Sequence, residues 1–162
     1  MKHYKQYLYV ALPIILMIVI FIFSSEGTAS SARSLPLADF LRVPEWLVRK
    51  AAHILAFATL GALWYNVFKN HSRITPAFRG FLPLALAIAY AIIDEFHQSL
   101  IPGRSGLVSD VLLDALSALA GIIIFATIFY LTLSPAQKRT RRQNTKKVWQ
   151  NNAKLLKKLK NR

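Results

Sequence analysis

The chain has 162 residues, a length that suits one domain; 54% are hydrophobic and the mean hydropathy is +0.36, too apolar for an ordinary soluble domain. It has no cysteine, so disulfides and thiolate-bound metals are excluded. The net charge of +14 is mostly a property of one end: eleven of the 21 Lys and Arg fall in residues 138–162, where there is no acid.

A bilayer core about 30 Å thick needs roughly 20 mostly apolar residues in a helix. Four segments qualify, and the expected fold is an all-α integral membrane bundle of four transmembrane helices over residues 1–134, followed by a basic tail over residues 135–162. The first span runs from about Tyr7 to Phe23, uncharged, with Pro13 one turn in. Lys2 and Lys5 before it and Ser30-Ser31-Ala32 after it outline a signal peptide. The apolar run from Leu8 to Phe23 has 16 residues, however, longer than a usual signal core, and reads as an uncleaved span. The second span runs from about Trp46 to Phe68, with Arg49, Lys50 and His53 near its start. The third runs from about Phe81 to Leu100 and is apolar until Asp94. The fourth runs from about Leu107 to Leu133, with Asp110 and Asp114 in its first turns. Tyr7, Tyr9, Trp46, Trp64, Tyr65 and Tyr130 sit near span ends, as interfacial anchors do.

Lys and Arg in short loops set orientation. Lys2 and Lys5 precede the first span, Lys69, Arg73 and Arg79 lie between the second and third, and eleven basic residues follow the fourth. Both termini and the middle loop therefore belong in the cytoplasm. The first and third loops belong outside.

That topology brings the unusual polar residues to one level. Arg49, Lys50 and His53 open the second span, Asp94, Glu95, His97 and Gln98 close the third, Arg104 follows, and Asp110 and Asp114 open the fourth. Ser24, Ser25 and Glu26 close the first on the same side, and the two serines read as a helix end meeting water. Charges at membrane depth are costly and usually face the bundle interior. Arg49 and His53 are four residues apart and share a helix face, as do Asp94 and Gln98, and Asp110 and Asp114. The last pair repels itself, so cationic partners or a proton are expected. The same stripe continues to Ser117 and Gly121, small enough for close helix approach.

Several runs carry a family resemblance: Phe23-Ser24-Ser25, Arg49-Lys50-Ala51-Ala52-His53, Asp94-Glu95-Phe96-His97-Gln98, Ile101-Pro102-Gly103-Arg104-Ser105-Gly106 and Asp110-Val111-Leu112-Leu113-Asp114. Over roughly residues 8–133 the sequence resembles the VanZ-like family of bacterial membrane proteins. Glu26 and Ala56 depart from the family pattern, where Gln and an acid are common. The resemblance implies an association with resistance to teicoplanin-type glycopeptide antibiotics and defines no biochemical activity by itself.

Four readings of the polar cluster follow from its chemistry. In the leading one it is a pocket open to the outside that binds, and could process, an anionic or polar envelope component, a lipid-linked or glycopeptide ligand among them. Arg49, Lys50, His53, Gln98, Arg104, Asp110 and Asp114 would form the binding set, and His97, Asp94 and Glu95 the acid–base set. The alternative is a non-catalytic scaffold or partner-binding subunit whose charges pair to fix helix register. A divalent metal held by His53 and His97 with Asp94, Glu95 or Asp110 is less favoured, because the spacing is not the His-Glu-x-x-His of zinc hydrolases. A proton relay is disfavoured too, since no polar residue leads through the inner half.

The tail carries Val148, Leu155 and Leu159 at helical spacing beside Trp149 and Leu156, the outline of a cationic amphipathic helix. Anionic lipid is its expected partner ahead of nucleic acid, because the tail is tethered to the membrane already.

Overall fold

A computed structural model describes residues 3–25, 35–69, 74–102, 104 and 106–160. Among these are six helices and no strand: α1 (His3–Ser24), α2 (Leu35–Leu41), α3 (Glu45–Phe68), α4 (Pro76–Ser99), α5 (Val108–Thr132) and α6 (Pro135–Lys160). α1, α3, α4 and α5 are long and apolar enough to cross a bilayer. They coincide with the four expected spans. α4 begins five residues earlier than the hydropathy suggests, because Pro76 suits a first helical turn, where its missing N–H costs nothing.

The bundle centres on α3. Phe57 and Leu60 of α3, Ile20 of α1, and Tyr90 and Ala91 of α4 form its buried core. Tyr90 also donates its hydroxyl to the carbonyl of Met17 at 2.5 Å, which ties α4 to α1. Such a bond is favoured where no water competes for the phenol. Outside this core the spans present large apolar side chains, including Ile15, Ile18, Ile92, Ile93, Ile123 and Ile124. A surface of this kind is matched to lipid.

α3 and α5 make the closest approach. A Cβ placed on Gly61 would collide with the backbone of Ala118, and one placed on Gly121 with the backbone of Ala58. The glycines are reciprocal, so each helix lays its small face into the other. The stripe expected from Asp110 through Ser117 and Gly121 is therefore the packing seam. Ser117 hides its hydroxyl on the carbonyl of its own helix at Leu113, 2.7 Å away.

One helix has no counterpart in the sequence reading. α2 is a single short helix in the first loop, with Ala38 buried and Phe40 exposed. It ends with Arg42 at φ 55°. The amides of Arg42 and Val43 return to the carbonyls of Asp39 and Ala38 at 3.2 and 3.1 Å, the Schellman pattern usually made by glycine. α6 starts at once after α5. Ser134 and Gln137 cap it reciprocally, amide to side chain in each direction, at 2.8 and 3.3 Å. Part of the apolar stripe expected on the tail, Leu155, Leu156 and Leu159, lies outside the described side chains. Glu26, Arg73, Gly103, Ser105 and the Ser30-Ser31-Ala32 segment also lie outside the described residues.

Candidate functional site

α3 and α5 run parallel, and α4, antiparallel to both, ends where they begin. Their termini surround a cavity of about 290 Å³. Trp46, Arg49, Lys50 and His53 line it from α3, Glu95 and Gln98 from α4, and Asp110, Leu113 and Asp114 from α5. Arg104 and Leu107 line it from the connection between α4 and α5. All seven residues expected to bind thus face one space. Glu95 joins them. Asp94 and His97 do not line it.

The pairings differ from wall to wall. Lys50 donates to Asp110 across the α3–α5 seam at 2.7 Å, and both side chains keep substantial solvent exposure. Deeper in, His53 Nδ1 stands 3.6 Å from Asp114 Oδ2, close for electrostatic attraction and too far for a good hydrogen bond. The repulsion expected between Asp110 and Asp114 is thereby met by a separate α3 partner for each. Arg49 turns back one helical turn to Glu45, at 2.7 Å. That i,i+4 spacing is readable in the sequence, although the expected span begins one residue later, at Trp46. Trp46, expected as an interfacial anchor, also forms part of the cavity wall, as do Leu107 and Leu113. Nothing in the sequence marked the two leucines out from their neighbours.

The α4–α5 connection is pinned from below. A Cβ on Gly106 would lie 2.8 Å from that of Ser99, so only glycine lets the chain fold back this tightly onto α4. The fold-back presents the Leu107 amide to Glu95 Oε1 at 2.6 Å. Leu107 is the N-cap of α5, so the carboxylate meets both an orphan donor and the positive end of the helix dipole.

Behind the cavity a closed hydrogen-bond circuit joins α1, α4 and the connection. Ser24 Oγ donates to Asp94 Oδ2 at 3.0 Å, and Gln98 Nε2 donates to the same oxygen at 2.8 Å. Arg104 Nη1 then donates to Gln98 Oε1 at 3.1 Å and to the Ser24 carbonyl at 3.0 Å. Asp94 and Ser24 are each 1% exposed. Ser24 is therefore an interior residue, in contrast to the expected helix end meeting water: α4 brings a buried carboxylate against it. Ser25 does reach the surface, where its hydroxyl lies 2.6 Å from the Phe21 carbonyl and 3.0 Å from His97 Nε2. His97 stacks on the Phe21 ring at 4.3 Å between centroids. It belongs to the α1–α4 seam. Among the described residues, no three His, Asp or Glu side chains converge as a metal-ligand set.

A four-span helical bundle with charged groups gathered at one end of its spans is a multi-pass membrane protein, and its polar end is the place to look for function. The sequence model of the VanZ/LLP1 family matches residues 9–134. The match covers most of the chain, so the protein belongs to the VanZ/LLP1 family, and α6 lies outside the matched region. Among curated proteins and among solved structures nothing matches the chain.

Proposed function

We propose that the cavity between α3, α4 and α5 is a binding site for an anionic or polar component of the cell envelope, or for a glycopeptide antibiotic, entered from the outer leaflet of a bacterial cytoplasmic membrane. The observation that carries the proposal is the cavity wall. Arg49, Lys50 and Arg104 face one space from two separate parts of the fold. Guanidinium groups suit phosphate and carboxylate because they offer paired donors in a plane. Acids at hand keep the empty site near neutrality, and Lys50 can exchange Asp110 for a ligand oxygen because their bond is partly exposed. The processing step, the finer half of the proposal, would fall to Glu95, the member of the expected acid–base set that lines the cavity. Asp94 and His97 would hold the wall.

Membership of the VanZ/LLP1 family supports a link to resistance against teicoplanin-type glycopeptides. The placement of Lys and Arg supports both termini in the cytoplasm and the cavity outside. Absence of native cysteine makes the orientation simple to test. A cysteine at Pro102, beside the cavity, should react with an impermeant maleimide on intact cells, and one at Gln143 in α6 should react only after lysis. The reverse pattern would put the cavity on the wrong side of the membrane.

Function is tested in a sensitive host carrying the full chain. Lys50→Gln and Arg49→Gln should each reduce growth under teicoplanin while the protein stays abundant in the membrane. Unchanged resistance in both variants would refute the binding role. Loss of the protein itself would favour the alternative, a scaffold whose charges fix helix register, for which the mutual pairing of Lys50 with Asp110 and of His53 with Asp114 is the supporting observation.

A further inference from the structure

All seven acidic residues of the chain lie at or before position 45 or between positions 94 and 114, which places none of them at the end of α3, the start of α4 or beyond the middle of α5. Cations nevertheless gather at that opposite end. Lys69, the C-cap of α3, sets its ammonium over the rings of Phe125 and Phe129, 4.8 and 4.2 Å from their centroids. The guanidinium of Arg141, from α6, lies 4.9 Å from the Phe129 centroid, and Arg141 donates to the Lys69 carbonyl. Arg79 of α4, partly buried, turns its Nε to the Ile74 carbonyl at 3.0 Å and feels the repulsion of Arg141.

We propose that Lys69, Arg79 and Arg141 form a discrete site for the phosphate of an anionic phospholipid headgroup. Each comes from a different helix: Lys69 and Arg79 stand at the ends of their spans, the depth at which headgroup phosphates lie, and Arg141 of α6 packs against Lys69. Cations held together repel one another, and an anion among them turns that repulsion into attraction. Burial first, and then the Arg141 charge, holds the Lys69 amine below its ordinary range, which marks a setting short of negative charge. The aromatic rings beneath the cations suit the upper acyl chain, and the fit of site to lipid is one of both charge and polarity. Lys50 and Lys69 are 19 positions apart on α3, about 28 Å along a helix, so this site is separate from the cavity and does not depend on its function.

The test uses the full chain in a non-ionic detergent, titrated with dioleoylphosphatidylglycerol and read by native mass spectrometry of lipid-bound protein. The K69Q/R79Q/R141Q variant should lose apparent affinity by about tenfold or more, whereas R142Q/K146Q/K147Q, which removes the same charge from exposed positions of α6, should change it less than about twofold. Equal losses would mean diffuse attraction and overturn the site. Equal binding of dioleoylphosphatidylcholine would overturn selectivity for the anionic headgroup. Displacement of the lipid by millimolar inorganic phosphate, with phosphate alone raising thermal stability, would reassign the site to a free anion and overturn the lipid proposal. Should the triple variant lose helicity, Arg79→Gln and Arg141→Gln are measured singly. A severalfold loss in each is expected, and no loss in either overturns the proposal.

Discussion

Replacing Gly121 by alanine is the sharpest test of what holds the cavity in shape. The added methyl would lie 2.8 Å from Ala58 Cα and closer still to the Ala58 carbonyl. Both are backbone atoms, so no side chain can swing away, and α3 and α5 must part by about an ångström and a half to reach ordinary contact. Overpacking of this kind costs about 1–3 kcal/mol. In a chain of this size that is a fall in melting temperature of about 3–10 °C. Gly80 on α4 supplies the control, since a Cβ there meets nothing within 4 Å. Gly80→Ala should gain about 0.5–1 kcal/mol from the lower backbone entropy of the unfolded chain. Thermal unfolding of the two purified variants in detergent, followed by circular dichroism, gives the comparison. The Gly121 variant should also weaken resistance, because the helices pushed apart carry Lys50 and His53 on one side and Asp110 and Asp114 on the other. If Gly121→Ala melts at or above Gly80→Ala, the α3–α5 seam is not closely packed and the cavity is not set by it.

Three further outcomes are expected. A double-mutant cycle of Lys50→Gln and Asp110→Asn should give only weak coupling, little above the error of unfolding measurements, because the pair is partly exposed; strong coupling would mean the pair is shut away from water. Ser24→Ala should cost about 1–2 kcal/mol in thermal or denaturant unfolding by removing a donor from buried Asp94. Ser25→Ala, at the exposed neighbouring position, should stay within about 0.5 kcal/mol, and equal effects would contradict the burial difference. Arg42→Gly should raise stability by up to about 1 kcal/mol, since it relieves a left-handed backbone that only glycine adopts without strain. A destabilised Arg42→Gly protein would show that the arginine side chain contributes more than the backbone costs.

The spans were legible because lipid demands long apolar helices, and few other arrangements satisfy that demand. Alignment of the polar residues at one depth followed from helix direction alone. Side-chain direction at that depth did not. His97 is one turn from Asp94 and was grouped with it, yet α4 packs against α1 on one flank and α3 and α5 on the other. The rotation of α4 assigns His97 to the first flank and Glu95 to the second. Sequence spacing cannot fix that rotation, because both neighbours accept polar groups. The short α2 was hidden for a different reason: its stop signal is an arginine in a conformation that sequence reading reserves for glycine. The start of α6 was readable in Ser134-Pro135-Ala136-Gln137, a capping sequence with proline at the first helical position.

The polar end divides into two parts with different physical demands. The circuit of Ser24, Asp94, Gln98 and Arg104 is closed and largely interior, so every removed partner leaves a polar group without water to replace it. Groups placed in that way fix geometry, and variants there should be read first as losses of structure. The wall formed by Lys50 and Asp110, with Arg49 and Glu45 beside it, keeps contact with solvent and is weakly bound in the energetic sense. A network needed only for register gains little from leaving its ion pairs half open, since apolar packing would do the same at lower cost. Half-open pairs can trade partners, so Lys50 can turn from the Asp110 carboxylate to a ligand phosphate or carboxylate. On that reasoning Arg104, which belongs to the circuit and also faces the cavity, is the group through which an occupied cavity could pull on α1.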